Sequence, residues 1–192
     1  MLVIGITGTL GAGKGTIVEY LVQERQFVHF SVRAWLIKEI KKRGLPVNRD
    51  SMTEVANELR KKYSPSYVTD QLYEEATKTD KPCVIESIRT PGEIDSLRAK
   101  GTFYLFAVDA RPEVRYERIQ HRGSETDAVS YETFMANEKR EMQSDDPNKQ
   151  NLAACIAKAD FLFRNNGNLK QLYKQIDDAL ESIESINQHK HE

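Results

Sequence analysis

Short runs of β-branched and aromatic residues alternate along this chain with longer stretches in which apolar residues recur every three or four positions. The runs are Leu2-Val3-Ile4-Gly5-Ile6, Phe27-Val28-His29-Phe30, Cys83-Val84-Ile85, Phe103 to Val108, and Phe161-Leu162-Phe163. Runs this short and apolar read as buried strands, and the wider spacing reads as helix. Helices are therefore expected after Lys14, from Ser31 to Lys42, from Ser51 to Tyr63 and from Ser64-Pro65 to Ala76. Others are expected from Pro91, from Pro112 to about Arg122, from Tyr131 to Met142 and from Leu152 to Ala159. Leu169, Leu172, Tyr173, Ile176, Leu180, Ile183 and Ile186 predict a long amphipathic helix that closes the fold. Ser31 can cap its helix, and Lys41-Lys42-Arg43-Gly44 is the kind of basic, glycine-ended stretch that terminates one. Pro91 suits a first helical turn, with Glu93 near its positive end.

Strands alternating with helices predict an α/β fold: a five-stranded parallel sheet with helices on both faces. Its ligand edge lies beyond the carboxyl ends of the strands. The 192 residues fit one domain with a sizeable core. Residues 31–79 separate strands two and three by more than a single crossover needs, and read as a small helical insertion able to hold an acceptor. Residues 123–147, a polar helix between the loops at Gly123–Asp127 and Ser144–Asn148, read as a lid.

Composition narrows the function classes. Apolar residues make up 39% and charged residues 30%, with a net charge of −1, so nothing global points to nucleic acid or an anionic membrane. The cysteines, Cys83 and Cys155, have no second Cys or His at ligand spacing, which favours a reducing compartment and no zinc site. The N-terminal apolar run is short and lacks a basic flank, unlike a secretory signal, and no stretch approaches a membrane span. A cytoplasmic protein is expected. His189-Lys190-His191-Glu192 reads as a polar tail.

The most specific chemistry is Gly8-Thr9-Leu10-Gly11-Ala12-Gly13-Lys14-Gly15-Thr16, between the first strand and the first helix. It fits G-x-x-x-x-G-K in the strand-to-helix context that a phosphate-binding loop requires. Backbone N–H groups of such a loop, with the positive end of the helix dipole, make an anion site. Lys14 then reaches across a triphosphate as a point charge. Gly15 stands where the motif has Ser or Thr, so a hydroxyl next to Lys14 cannot ligate a metal; Thr16 is expected on a phosphate instead.

The loop spelling Gly11-Ala12-Gly13-Lys14-Gly15-Thr16 resembles that of adenylate-kinase-type nucleoside monophosphate kinases. Val84-Ile85-Glu86-Ser87-Ile88-Arg89-Thr90 resembles the strand in which those kinases carry Asp-Gly-x-Pro-Arg-Thr. Ala159-Asp160-Phe161-Leu162-Phe163-Arg164-Asn165-Asn166-Gly167 resembles the C-terminal Ala-Asp-Tyr-x-Ile-x-Asn-x-Gly of dephospho-CoA kinases. Overall the chain is most similar to a mainly archaeal family of nucleotide-kinase-like P-loop proteins, which share Leu59-Arg60, the Glu-x-Ile-Arg strand and the same tail. The resemblance implies a P-loop kinase fold and a phosphotransferase using ATP and Mg2+. By it, Gly8, Gly11, Ala12, Gly13, Lys14, Gly15, Thr16 and Asn166 hold the nucleotide. Glu86 holds magnesium through water, Arg89 holds the acceptor's phosphate, and Arg118 and Arg122 meet the transferring phosphates. Two features of the families are absent: a second arginine after the second strand, and the Asp-Ala-Asp of dephospho-CoA kinases.

Other residues carry alternatives. Glu86 is also placed to act as a base toward a hydroxyl, as in deoxynucleoside kinases, or to cap the helix at Pro91. Ser31 and Arg33 are placed to meet an acceptor phosphate, or Ser31 merely caps. Arg111, Arg115, Arg118 and Arg122 step along one helix face; Arg111 and Arg115 read as a solvated face paired with nearby acids such as Asp109, Glu113 and Glu117. Arg140 is a weaker lid candidate. Trp35, Tyr63, Tyr67 and Tyr73 suit base stacking but more simply pack three small helices together. His29 reads as structural. The acceptor expected first is a nucleoside or deoxynucleoside monophosphate; a hydroxyl acceptor of the dephospho-CoA kind comes second. A nucleotide-binding regulator or slow NTPase is the rival from another class.

Overall fold

The computed structural model describes residues 1–123 and 129–189. Five strands form one sheet: β1 (Val3–Gly8), β2 (Val28–Ser31), β3 (Cys83–Glu86), β4 (Phe103–Asp109) and β5 (Phe161–Arg164). Their order is β2-β3-β1-β4-β5, and every pairing is parallel. The chain thus leaves β1 toward one edge, fills β3 back beside β1, then crosses to β4 and β5 on the other side. That reversal at β1 opens the crevice in which such sheets bind ligands, and the glycine loop sits at its mouth.

Side-chain parity decides which helices cover which face. Val3, Ile85 and Leu105 point to one side, where they pack with α2 (Val32–Lys42), α3 (Arg49–Lys62), α4 (Tyr67–Ala76), α5 (Pro91–Lys100) and α8 (Leu152–Ala157). Ile4, Ile6, Val84, Phe106 and Val108 point to the other, against α1 (Lys14–Arg25) and α9 (Leu169–His189). Both faces are buried, which is why these strands read as continuous apolar runs. The expectation of a parallel α/β sheet covered on both faces holds.

Between β4 and β5 the chain forms α6 (Pro112–Arg122), α7 (Tyr131–Met142) and α8. Arg115 joins α6 to α7. It is 2% exposed, its guanidinium forks onto Glu138, its Nε donates to Ala110 O at 2.7 Å, and it lies 5.4 Å from the Phe134 ring. This corrects the expectation of a solvated arginine: Arg115 is buried, and its main partner is on another helix. The loop expected at Gly123–Asp127 lies beyond Gly123 outside the described residues, as does the tail after His189.

Two helix starts also differ: α4 begins at Tyr67, after Ser66, rather than at Ser64-Pro65, and α3 begins earlier than expected. Asn48, not Ser51, opens α3: Asn48 Oδ1 accepts from Ser51 N at 2.9 Å. The helix therefore begins at Arg49, which the sequence pattern left in a connection. For α5, Thr90 and Glu93 form a capping box, so Glu93 rather than Glu86 satisfies its first turn.

Candidate functional site

The loop is built to leave its amides open. Gly13, the residue before α1, has φ 110° and provides no side-chain cap, and the first turn of α1 contains no acid. The unpaired N–H groups of that turn and the positive helix end face outward, where a phosphate would satisfy both. Gly11 and Gly13 are required on two grounds. Both have left-handed backbone, and a Cβ would stand 2.5 Å from Arg115 O or 2.3 Å from Asn165 Nδ2. Gly15 differs: nothing lies within 4 Å of its would-be Cβ, so the missing hydroxyl beside Lys14 is not imposed by space.

Lys14 Nζ donates to Gly8 O at 2.7 Å and Thr9 O at 2.9 Å. Enclosure of the ammonium by the loop and the nearby charge of Arg89 lower its pKa to about 7, against the pull of Glu86 and Glu141. From beneath, Asn165 Nδ2 donates to Ala12 O at 2.8 Å, and Arg118 Nη1 approaches the same carbonyl at 3.5 Å. Thr9 Oγ1 donates to Asp109 at 2.9 Å. A cleft of about 610 Å3 opens above, with Gly13, Lys14, Thr16, Glu86, Arg118 and Arg122 among its walls.

Glu86 ends β3 inside that cleft. Ser31 Oγ donates to its Oε1 at 2.8 Å, Ser87 Oγ to its Oε2 at 3.2 Å, and His29 Nε2 stands 3.8 Å from Oε1. Burial pushes the carboxyl up, but His29, Ser31 and Lys14 outweigh it and hold the pKa near 2. Glu86 is therefore a carboxylate at any physiological pH and a weak proton acceptor. Ser31 also accepts from Ala34 N at 3.1 Å as the cap of α2, so the capping alternative is the one seen, and its hydroxyl is spent on Glu86 rather than facing the cleft or the smaller cavity that adjoins it. His29, read as structural, is part of this cluster. No signal within its own strand marks that; the register does, pairing Ser31 with Glu86 so that His29 and Glu86 share a face.

A second, smaller cavity of about 100 Å3 adjoins the first on the α2–α3 side. Arg33, Ser87, Arg89 and Arg122 border both cavities, so the two are adjacent. Its cationic wall comprises Arg33, Arg49, Arg60, Arg89 and Arg122; its apolar wall comprises Val32, Leu36, Met52 and Ala56. Arg89 Nη1 donates to Glu141 at 3.1 Å and to Gln150 at 2.7 Å, and Arg49 pairs with the other oxygen of Glu141. Buried Arg60 donates to Asn57 at 3.1 Å and lies 4.0 Å from Glu93. Arg49, Arg60 and Glu141 were not singled out from the sequence for this site. Ser87 has φ 70°, in the left-handed region that favours glycine.

Several expected residues lie apart. Asn166 is exposed; its Oδ1 accepts from Arg111 N at 2.7 Å, and its neighbour Asn165 is the one that touches the loop. Arg140 is exposed and bonds Asn137 on its own helix. Tyr67 stacks on Tyr63 and meets Trp35 edge to face, and neither these three nor Tyr73 line either cavity. Among the described residues no group of three or more His, Cys, Asp or Glu could hold a metal ion by itself. A single carboxylate facing phosphates is nonetheless an ordinary magnesium environment, because Mg2+ keeps most of its waters, and ionised Glu86 fits that role.

The sheet order, the loop at its crevice and the uncapped α1 define a P-loop protein of nucleotide-kinase-like fold. The chain belongs to the AAA-domain family, whose profile matches residues 4–144. It is 29% identical over 186 residues to UPF0200 protein MJ1399 of Methanocaldococcus jannaschii, covering 95% of this chain and 91% of that one. A UPF0200 protein of Thermococcus sibiricus is 28% identical, with 95% of each covered. Among solved structures, TT1252 from Thermus thermophilus superposes with a TM-score of 0.61 at 20% identity, covering 94% of this chain and 97% of that one. A gluconokinase from Sinorhizobium meliloti 1021 gives 0.59 at 13% identity (99% and 95% covered). Shikimate kinase from Aquifex aeolicus gives 0.55 at 13% (94% and 97% covered). At these identities the structural likeness establishes the fold. No described helix is long and apolar enough to cross a membrane.

Proposed function

We propose that this protein is an ATP-dependent phosphotransferase that moves the γ-phosphoryl group to a small anionic acceptor, a nucleoside or deoxynucleoside monophosphate first. One observation carries the reading: an arginine-lined cavity lies beside the cleft above the phosphate-binding loop, and Arg89 and Arg122 line both. Phosphoryl transfer asks little covalent work of a protein; it asks for alignment, charge screening and exclusion of water. Lys14 and the loop amides would hold the β and γ phosphates, and Arg118 and Arg122 would face the group in flight. Glu86 would hold magnesium through water, and bound Mg2+ would supply charge neutralisation on the phosphates. A carboxylate with a pKa near 2 suits that role better than general base catalysis, which works best with a pKa near the working pH. Two free, buried cysteines suit a reducing, cytoplasmic setting.

A second reading, phosphorylation of a hydroxyl on an acceptor with an anionic handle, is favoured by the lining of the smaller cavity. It contains no aromatic ring to stack on a base. The gluconokinase and shikimate kinase neighbours are named for non-aromatic acceptors.

The deciding experiment measures ADP release from Mg-ATP by pure protein, alone and with nucleoside monophosphates, dephospho-CoA and small hydroxy acids. Turnover that requires one acceptor class, and that falls about a hundredfold or more in Lys14→Ala, supports the kinase and names the acceptor. ATP binding with no acceptor-dependent turnover across the panel would turn the reading to a nucleotide-binding regulator.

A further inference from the structure

Arg89 is the residue that the family resemblance implies for the acceptor's phosphate; we propose that Arg49 completes that seat beside it, and that Glu141 of α7 fills the seat in the empty protein and is exchanged for the acceptor's phosphate or carboxylate. The inference deepens the phosphotransferase reading by specifying how the acceptor is held.

Arg49 is in the first turn of α3, the positive end of that helix, where a cation is electrostatically misplaced. A position that works against local stability needs an anion to offset it. Glu141 supplies one: its two oxygens are divided between Arg49 and Arg89, which come from different sides of the cavity. That is how two guanidinium groups would hold a phosphate or carboxylate presented between them. The match is incomplete. Arg49 Nε is buried and has no hydrogen-bond partner, and it is the one such side-chain atom among the described residues. Glu141 satisfies one face of the Arg49 fork; a phosphate, with a third oxygen, has an acceptor to spare.

Charge and space point the same way. Arg33, Arg60 and Arg122 also line the cavity, and Glu141 is the single acid among its walls. With Glu141 in place the volume is about 100 Å3, well below the several hundred that small-molecule sites occupy. An acceptor needs the space as well as the arginines, and withdrawal of Glu141 with α7 provides both. Leaving a buried carboxylate unpaired is costly, so the exchange takes Glu141 outward to water rather than deeper. Empty, the seat stays closed by its own acid; filled, α7 is released from Arg49 and Arg89.

The test uses inorganic phosphate on the full chain with the loop saturated by a non-hydrolysable ATP analogue, whose γ group fills the place beside Lys14, so that phosphate reports on the second cavity. Titrations at pH 7.5 and constant ionic strength compare wild type, Glu141→Gln, Arg49→Gln and the double variant. The expected result is at least tenfold tighter phosphate binding in Glu141→Gln, abolished in the double variant. Equal affinity in Glu141→Gln and wild type, or tight binding that survives loss of Arg49, overturns the proposal. Hydrogen exchange on wild type provides the arm that no folding defect can confuse. Phosphate should speed exchange of α7 and leave α1 unchanged; unaltered α7 at saturating phosphate also overturns it. Because no turnover is measured, a failure of this seat is distinguishable from a failure of the kinase reading.

Discussion

Asn165 and Ala12 are 153 residues apart in sequence, yet Asn165 Nδ2 donates to Ala12 O at 2.8 Å and its amide fills the space that a Cβ on Gly13 would claim. The tip of the phosphate-binding loop is thereby held against the end of β5. Asn165→Ala should cost about 1–2 kcal/mol, because the carbonyl it serves is buried and its other neighbour, Arg118, stands at 3.5 Å. It should also weaken ATP binding through a loop less fixed in advance, whereas Asn166→Ala should change ATP affinity little. Denaturant melts and ATP titrations of the two variants check the contrast.

Ser87 carries a left-handed backbone at the exit of β3, with φ 70°. A non-glycine residue there costs on the order of 1 kcal/mol, partly offset here by its hydrogen bond to Glu86 at 3.2 Å. Ser87→Gly should therefore be neutral or stabilising by up to about 1 kcal/mol. Ser87→Val, β-branched in the same conformation, should lose more than about 1 kcal/mol. Thermal melts rank the three; a Val variant as stable as Ser would remove the strain argument.

These two cases mark what was legible in the sequence. The sheet, its helices and the loop were, because strand runs buried on both faces and a glycine frame are local signals. The loop residues Gly13, Lys14 and Thr16, together with Glu86, Arg118 and Arg122, face one cleft as the strand-end rule implies. Asn166 was the asparagine expected at the nucleotide, and nothing local marked Asn165 as the one that turns onto the loop: that depends on how the residue after β5 meets it. Arg49 stayed hidden because Asn48 and Ser51 are both good caps, and only the fold shows that Asn48 caps and Ser51 N is the donor. Glu141 looked like one more acid on a polar helix; its burial comes from α7 docking over Arg89 and Arg49. Arg115 shared its spacing with three other arginines, and only the packing of α6 against α7 shows it buried on Glu138.

Acid should destabilise this protein through identifiable carboxylates. Glu86 has a folded pKa near 2 against an ordinary 4.5, and the arginines beside Glu141 also hold it below its usual range despite burial. A depressed carboxylate contributes stability that is present above its unfolded pKa and is lost as pH falls toward its folded pKa. Stability should thus decline from about pH 4.5 down toward 2, by an amount for Glu86 on the order of a few kcal/mol. Glu86→Gln should flatten that part of the curve. Denaturation midpoints from pH 7 to 2.5 for wild type and variant give the comparison, and superimposable slopes would assign the acid sensitivity elsewhere.

Lys14 makes the opposite case, and its sign ties protonation to nucleotide binding. Its pKa is lowered to about 7 because the loop encloses the ammonium and Arg89 repels it. Between pH 7 and 10.5 the unfolded chain binds more protons at this residue than the folded one, so its contribution to stability rises with pH across that window. A triphosphate laid on the loop brings negative charge to Lys14 and should return its pKa toward 10.5. Binding near pH 8 should then take up close to one proton per nucleotide, and binding at pH 6, where Lys14 is already charged, almost none. Calorimetric titrations of ATP in buffers of different ionisation enthalpy measure that uptake directly. Lys14→Met should abolish the buffer dependence while leaving any nucleotide binding that rests on the amides. An uptake that persists in Lys14→Met would place the titrating group elsewhere in the cleft, and an uptake independent of pH would show that Lys14 stays charged in the empty loop.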